Sequence, residues 1–177
     1  MTTSIRRIFI TGFMAAGKTT LASSLARRLD CLMVDLDRFI CEREGRSPQQ
    51  IIDEEGEARF RELETSALRA VLENEASSIV ALGGGAWAFE QNRKLIAERD
   101  GFTVWLDAPF ELCWQRIGSE GDSRPLARDR EKAGRLYDER RALYGLADLR
   151  VQATAERSAE DVAAEIEHTL LHRRTKM

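Results

Sequence analysis

The residues of this chain best suited to chemistry form the pattern G-x-x-x-x-G-K-T over residues 12–19. Gly12 and Gly17 allow a backbone path that a Cβ would obstruct, so that successive amide N–H groups can turn toward phosphate oxygens. Lys18 can bring a positive charge to the β- and γ-phosphates of a nucleotide, and the Thr19 hydroxyl can bind Mg²⁺. The pattern therefore predicts the nucleotide site of a hydrolase or a kinase.

Two carboxylates, Asp35 and Asp37, follow the second apolar segment. Side chains two residues apart in an extended segment point the same way, so both should face the carboxyl edge of the sheet, where open α/β folds bind ligands. One carboxylate could orient Mg²⁺ and its waters while the other accepts a hydroxyl proton from an acceptor. The alternative is that Asp37 only caps a helix beginning at Arg38.

A helical segment and a run of glycines supply candidates for anion binding. Arg61 and Glu64 lie three residues apart, so the glutamate could hold the guanidinium in place for an anionic substrate. The alternative is a solvated helix in which Arg61 only forms ion pairs with Glu57 and Glu64. Three glycines, at 83–85, follow the third apolar strand and would let a ligand pack against backbone N–H groups.

A polar, glycine-containing segment at about 118–127 lies between two helical patterns and is a candidate lid. Arg124 in this segment could reach a transferring phosphoryl group and stabilise its charge. Arg116 and Arg157 could flank an adenine ring by stacking. Surface arginines are common, so each of these positions taken alone is more often structural than functional.

Short apolar strands alternate with helical patterns, which is the order expected of βαβ units on a parallel sheet. The strands are predicted at about 5–11, 31–36, 78–82, 102–107 and 148–153. The helices are predicted near 18–29, 37–44, 48–53, 57–74, 90–99, 109–117, 128–145 and 159–172. Ser47 is expected to cap the third helix, with Pro48 at its first position. The phosphate-binding pattern thus lies between a strand and a helix, as its chemistry requires.

The composition excludes several classes of protein. A length of 177 residues suits one α/β domain. The net charge of −3 gives no bulk attraction for nucleic acid or an anionic membrane. Three cysteines without C-x-x-C spacing favour reduced thiols in a cytoplasmic setting. No segment has the apolar length of a signal peptide or a membrane span, so we expect neither secretion nor membrane insertion.

Taken together, the motifs resemble those of the shikimate kinase family over nearly the whole chain. The matching pieces, in order, are GFMAAGKTT at 12–20, DLD at 35–37, GEARFRELE at 56–64, LGGGA at 82–86, RPLA at 124–127 and RRALY at 140–144. The first piece is shared by a whole superfamily, whereas the others in combination single out this family.

The resemblance implies the fold and the activity. The fold would be the P-loop kinase fold, similar to nucleoside monophosphate kinases, with three layers built on a five-stranded parallel sheet. The single domain would span 1–177, with a substrate-binding helical region at about 37–74 and the lid at about 118–127. The activity would be transfer of the γ-phosphoryl of MgATP to the 3-hydroxyl of shikimate, in the biosynthesis of chorismate and the aromatic amino acids. ATP and shikimate would be the partners of a monomer.

The resemblance also implies a role for each matched residue. Lys18 and Arg124 would stabilise the transferring phosphoryl group, and Asp37 would accept the proton. Thr19 would bind Mg²⁺, and Asp35 would hold the metal through water. The residues that contact ATP would be Gly12, Ala15, Ala16, Gly17, Lys18, Thr19, Thr20, Arg116, Arg124 and Arg157. The residues that bind shikimate would be Asp37, Arg61, Gly83, Gly84, Gly85 and Arg140.

The chain departs from the family pattern at two positions. Ala15 stands where the family usually carries glycine, and Ala142 replaces a proline commonly found before the leucine. Arg140 and Arg141 are adjacent, so either could bind the carboxylate of shikimate. We favour Arg140 because it lies one helical turn before Tyr144. None of these departures removes a charged group that the reaction needs.

Two other functions remain open at this point. The chain could be a kinase for another small hydroxy acid such as gluconate, since the same phosphate-binding loop serves many acceptors. It could also be a nucleotide-binding regulatory module that transfers no phosphate. The chain lacks an N-K-x-D motif for guanine, and it keeps Asp35, Asp37 and Arg124, which a binding module would not require.

Overall fold

A computed structural model describes residues 7–74, 77–119 and 129–174. Within these ranges the chain forms five strands: β1 (Ile8–Thr11), β2 (Leu32–Asp35), β3 (Ser77–Ala81), β4 (Phe102–Asp107) and β5 (Leu149–Gln152). The strands form one sheet in the order β2-β3-β1-β4-β5, and all four pairings are parallel. The predicted five-stranded parallel sheet is therefore confirmed.

Eight α-helices connect and cover these strands within the same ranges. They are α1 (Lys18–Arg28), α2 (Leu36–Glu44), α3 (Pro48–Glu55), α4 (Glu57–Glu73), α5 (Glu90–Glu98), α6 (Phe110–Ser119), α7 (Arg130–Tyr144) and α8 (Ala159–Arg174). The predicted bounds agree within two residues, except that the predicted start of β1 at residue 5 lies outside the described residues. A 3₁₀ turn at Ala86–Ala88 was not predicted.

The sheet is buried on both faces at its centre. All four residues of β1 and all six residues of β4 are buried, although alternate side chains point to opposite faces. Helices must therefore cover both faces, which makes the domain three-layered. Burial on both faces holds the central strands in place. The candidate site lies at the carboxyl ends of these strands.

Local sequence signals set the helix termini. Ser47 accepts a hydrogen bond from the Gln50 amide, and the Gln50 side chain accepts one from the Ser47 amide, so a capping box precedes Pro48. This confirms the predicted start of α3.

At the other end of the helical region, Arg7 donates to the carbonyls of Val71 and Leu72 and satisfies the last turn of α4.

The predicted substrate-binding region, about 37–74, corresponds to α2, α3 and α4, which pack against one another. Of the predicted lid, residues 120–127 lie outside the described residues, and Arg124 lies among them. In the part of the chain that the structure describes, no helix is long and apolar enough to cross a membrane.

Candidate active site

A cleft of about 1220 Å³ opens at the carboxyl ends of β1, β2 and β3. It contains two groups of chemically active side chains: the phosphate-binding loop on one side, and a cluster of carboxylates and arginines on the other. The predicted site residues that line it are Ala15, Ala16, Gly17, Lys18, Thr19, Thr20, Asp35, Asp37, Arg61, Gly83, Gly84, Gly85, Arg116, Arg140 and Arg157. Gly12 is not among the lining residues, although it begins the loop.

The backbone of the phosphate-binding loop adopts conformations that favour glycine. Gly12 has a φ of 146°, and a Cβ there would lie 2.5 Å from the carbonyl oxygen of Leu106. Ala15 has a φ of 57°, in the left-handed region. An L-residue in this region costs about 1–2 kcal/mol. The loop therefore keeps its shape in this chain at some cost in strain.

Lys18 and Thr19 lie at the start of α1, directly after the loop. The Lys18 ammonium donates to the carbonyl of Phe13 at 2.8 Å, across the loop. The Thr19 hydroxyl donates to a carboxylate oxygen of Asp35 at the end of β2. Helix α1 begins at Lys18 without a side-chain cap, so its first amides and the positive end of its dipole lie at the loop. This arrangement suits the binding of a polyphosphate.

The structure corrects the prediction for the two carboxylates. Strand β2 ends at Asp35, and α2 begins at Leu36, so Asp37 lies in the first helical turn and not in an extended segment. The helix cap is Asp35, whose Oδ1 accepts from the Arg38 amide at 3.0 Å. The alternative in which Asp37 caps the helix is therefore wrong. Both carboxylates nevertheless line the cleft.

Arg61 and Glu64 form a shielded ion pair on α4. The Arg61 Nη1 lies 2.8 Å from the Glu64 Oε2, and the Arg61 Nη2 lies 3.1 Å from the Glu57 Oε1. The Arg61 side chain is 17% exposed and the Glu64 side chain 1% exposed. Both ion pairs expected for a solvated helix are present. The pair between Arg61 and Glu64, however, is shielded from solvent. A glutamate with so little exposure can hold the guanidinium in a fixed direction.

Burial and neighbouring charges act in opposite directions on Glu64. Burial raises the pKa of Glu64, Arg61 opposes this rise, Asp37 adds to it, and Arg140 opposes it. The net pKa of Glu64 is raised. For Arg61, burial alone would lower the pKa, but Glu64 and Glu57 outweigh it and the net pKa is raised. These mutual effects indicate that four side chains form one electrostatic cluster: Asp37, Arg61, Glu64 and Arg140.

The triple glycine lies against that cluster. A Cβ on Gly83 would lie 2.6 Å from the Asp37 Oδ1, and a Cβ on Gly85 would lie 2.6 Å from the Arg61 Nη1. A Cβ on Gly84 would lie 3.4 Å from the amide nitrogen of Met14 and 3.6 Å from the Arg140 Nη1. The turn can therefore approach these groups closely only because Gly83 and Gly85 lack side chains.

The adjacent arginines of α7 have different environments. Arg140 lines the cleft beside Gly84. The Arg141 Nη2 lies 3.5 Å from the Asp107 Oδ2, and its guanidinium lies 5.9 Å from the centre of the Trp105 ring. Arg141 is therefore engaged with the end of β4, and Arg140 is the arginine available to a ligand in the cleft.

Arg116 and Arg157 approach the loop side of the cleft from different elements. Arg116, on α6, donates to the carbonyls of Ala15 at 3.2 Å and Ala16 at 3.1 Å. Arg157, after β5, donates to the carbonyl of Gln152 at 2.9 Å and to Glu165 at 2.5 Å. Arg116 thus contacts the phosphate-binding loop itself. The adenine contacts of both arginines stay predictions.

Sequence reasoning missed a buried polar network behind the triple glycine. The Thr65 hydroxyl donates to the Asn92 side-chain oxygen at 2.8 Å, and the Asn92 amide group donates to the Ala86 carbonyl at 3.0 Å. Asn92 is fully buried. These residues join α4 and α5 to the 3₁₀ turn, and they are too far apart in sequence for spacing to reveal the contact.

Comparisons with known proteins identify the family. A family model described as shikimate kinase matches residues 14–171. A shikimate kinase from Geobacter sulfurreducens is 42% identical over 164 residues, which cover 91% of this chain and 88% of the relative. The chain belongs to the shikimate kinase family. A shikimate kinase from Aquifex aeolicus is 37% identical over 160 residues, covering 90% of this chain and 93% of the relative.

Solved shikimate kinases share the fold over their whole length. The shikimate kinase from Acinetobacter baumannii in complex with shikimate has a TM-score of 0.88 and 32% identity, covering 96% of this chain and 95% of that chain. The shikimate kinase from Bacteroides thetaiotaomicron has a TM-score of 0.84 and 31% identity, covering 94% and 98%. The prediction of a shikimate kinase with the P-loop kinase fold is confirmed, and the alternatives are not favoured.

From the predicted role of Arg61, Gly85→Ala is expected to raise the KM for shikimate about 10-fold or more, with the KM for ATP nearly unchanged. The φ of Gly85 is −103°, which alanine adopts readily, so the effect would come from overlap with the Arg61 guanidinium. Steady-state kinetics with each substrate varied would measure both constants. Gly134→Ala on α7 is the control, since its Cβ would meet only Phe110 at 3.7 Å. An unchanged KM for shikimate in Gly85→Ala would contradict the predicted role of Arg61 in binding shikimate.

Proposed function

We propose that the cleft binds MgATP at the phosphate-binding loop and shikimate at the electrostatic cluster, and that the γ-phosphoryl passes to the 3-hydroxyl of shikimate. The observation that carries this proposal is the presence of both groups of side chains in one cleft. The loop alone would indicate only a nucleotide site. The second group supplies cations for a carboxylate and a carboxylate that can accept the proton of a hydroxyl, which together match a hydroxy acid acceptor.

Arg61 and Arg140 are proposed to bind the carboxylate of shikimate. Two guanidinium groups suit one planar carboxylate because bidentate hydrogen bonds fix direction as well as charge. Arg61 is already oriented by Glu57 and Glu64, so little side-chain entropy remains to be lost on binding. Holding the carboxylate in this way would orient the ring so that its hydroxyl points along the line of attack.

Asp37 is proposed to bind the shikimate hydroxyls and accept the proton of the attacking one. Its carboxylate lies beside Gly83, within the electrostatic cluster and in the same cleft as Lys18. Lys18 would stabilise the negative charge of the transferring phosphoryl group. Arg124 is proposed to add a second cation from the lid. These residues bind and orient the substrates and neutralise the charge of the phosphoryl group, which is most of what phosphoryl transfer needs from a protein.

Thr19 and Asp35 are suited to hold Mg²⁺. Both present oxygen atoms, and they are close enough to share a hydrogen bond. Mg²⁺ prefers oxygen ligands and is usually held by one or two protein groups together with waters and substrate phosphates. Thr19 would bind the ion directly and Asp35 through water. When bound, Mg²⁺ would neutralise charge on the nucleotide phosphates.

The test is an acceptor panel with purified protein, ATP and Mg²⁺. Shikimate should be phosphorylated at its 3-hydroxyl, as judged by ³¹P NMR of the product, and gluconate should not. Excess EDTA should abolish turnover, and added Mg²⁺ should restore it. Phosphorylation of gluconate but not shikimate would overturn the assignment of the acceptor. Nucleotide binding without transfer to any acceptor would favour a regulatory module.

A further inference from the structure

Tyr144 is a buried tyrosine that the proposed reaction does not yet use. It lies at the end of α7, one helical turn after Arg140, and is 1% exposed. Its hydroxyl donates to the carbonyl of Gly84 at 2.6 Å. Burial raises the pKa of Tyr144 to about 12, so the hydroxyl keeps its proton at neutral pH and remains a donor.

The neighbouring residue on α7 makes a second bond to the same turn. The Trp87 indole donates to the carbonyl of Leu143 at 2.9 Å. Two hydrogen bonds of opposite direction therefore connect consecutive residues of α7 to the turn that follows β3. From the other side, Arg93 on α5 donates to the Trp87 carbonyl at 2.7 Å. Such a pair of bonds fixes how far the turn can slide along α7.

The groups that lie near the Tyr144 hydroxyl belong to the proposed substrate site. Gly84 lies between the phosphate-binding loop at Met14 and the guanidinium of Arg140. The positive charge of Arg140 opposes the rise in the pKa of Tyr144, so this guanidinium also lies near the hydroxyl. The hydroxyl thus bonds the backbone of the triple glycine at the point where that backbone lies beside the side chain that would bind the carboxylate of shikimate.

We propose that Tyr144 is a positioning residue for the acid substrate, because its hydroxyl holds the triple glycine turn in place beside Arg140. This inference rests on the proposed function, in which both groups bind shikimate. Tyr144 acts through this turn: in the described structure its hydroxyl donates to Gly84, and not to the phosphate-binding residues Lys18 and Thr19. Its loss should therefore affect the two substrates unequally.

The test is Tyr144→Phe, which removes the hydroxyl and keeps the ring that packs 6.1 Å from Trp105. We expect the KM for shikimate to rise about 3- to 10-fold, which corresponds to one lost hydrogen bond in the site. The KM for ATP should stay within about twofold, because nothing at the loop is removed. Titration calorimetry with shikimate should show a matching loss of affinity.

Tyr137→Phe is the matched control. Tyr137 lies on the same helix, is 9% exposed, and donates to the carbonyl of Ala108 at 2.9 Å. Both variants lose one tyrosine bond to a backbone carbonyl, so urea unfolding should show similar losses of stability, and only Tyr144→Phe should raise the KM for shikimate. Equal KM values for shikimate in the two variants would overturn this inference alone. A native protein that does not phosphorylate shikimate would overturn the proposed function as well.

Discussion

Asp37→Asn is expected to lower kcat with shikimate by about 10²- to 10⁴-fold, the range usual for loss of a general base. Asparagine has the same shape and can still hydrogen-bond a hydroxyl, but it cannot accept the proton of the attacking group. The KM for ATP should change little, because Asp37 lies on the side of the cleft next to Gly83. Steady-state kinetics at saturating concentrations of both substrates would measure the loss.

Asp53→Asn is the control for this experiment. Asp53 lies on α3 in the same helical region, is exposed, and accepts a hydrogen bond from the Gln49 side chain at 2.6 Å. Removing its charge should leave kcat and both KM values unchanged. If Asp37→Asn kept native turnover while Asp53→Asn did the same, the proton would have to leave by another route, and Asp37 would only bind substrate.

The fold could be predicted from the sequence because its signals are local. The apolar run that becomes β1 is continuous because the strand is buried on both faces, and the glycine-lysine pattern follows it directly. The start of α3 could be predicted from Ser47 and Pro48 alone, since a cap needs only residues close in sequence. These features predict the sheet edge at which the site lies.

The register of residues at the ends of elements was harder to predict. Strand β2 ends one residue earlier than predicted. Asp35 is therefore the cap of α2, and Asp37 lies in the helix. Whether Arg140 or Arg141 faces the cleft depends on Asp107, a distant residue that pairs with Arg141. Such contacts leave no trace in sequence spacing, because neighbouring helical residues point about 100° apart.

Hydrogen bonds from side chains to distant segments were not predicted. The bond of Trp87 to Leu143 joins residues 56 positions apart, and the bond of Thr65 to Asn92 joins residues 27 positions apart. Each depends on how the helices pack in three dimensions. The role of Arg124, which lies outside the described residues, stays a prediction, as do the monomeric state and the cytoplasmic location.

Arg61→Ala is expected to raise the KM for shikimate by about 30-fold or more, because it removes a charged partner of the carboxylate from a shielded site. The KM for ATP should change little. Arg59→Ala is the matched control, since Arg59 lies two residues earlier on α4 and forms ion pairs with Glu55 and Glu62 at 49% exposure. A KM for shikimate that stayed native in Arg61→Ala would remove this arginine from the carboxylate site.

Arg61→Ala should also destabilise the protein in a pH-dependent way. It leaves Glu64 buried without its partner, which costs about 3–5 kcal/mol in such pairs. The pKa of Glu64 is already raised by burial, and loss of Arg61, which opposes that rise, would raise it further. A raised folded-state pKa means that protonation favours folding, so this contribution to stability is lost as pH rises through that pKa.

The deficit of Arg61→Ala relative to the native protein should therefore be largest at neutral pH and shrink on acidification, because the variant takes up its proton first. Urea unfolding at several pH values would measure this. Adding Glu64→Gln to Arg61→Ala removes the unpaired charge and should restore part of the stability at neutral pH without restoring the KM for shikimate. A deficit that does not change with pH would show that Glu64 is not the group left without a partner.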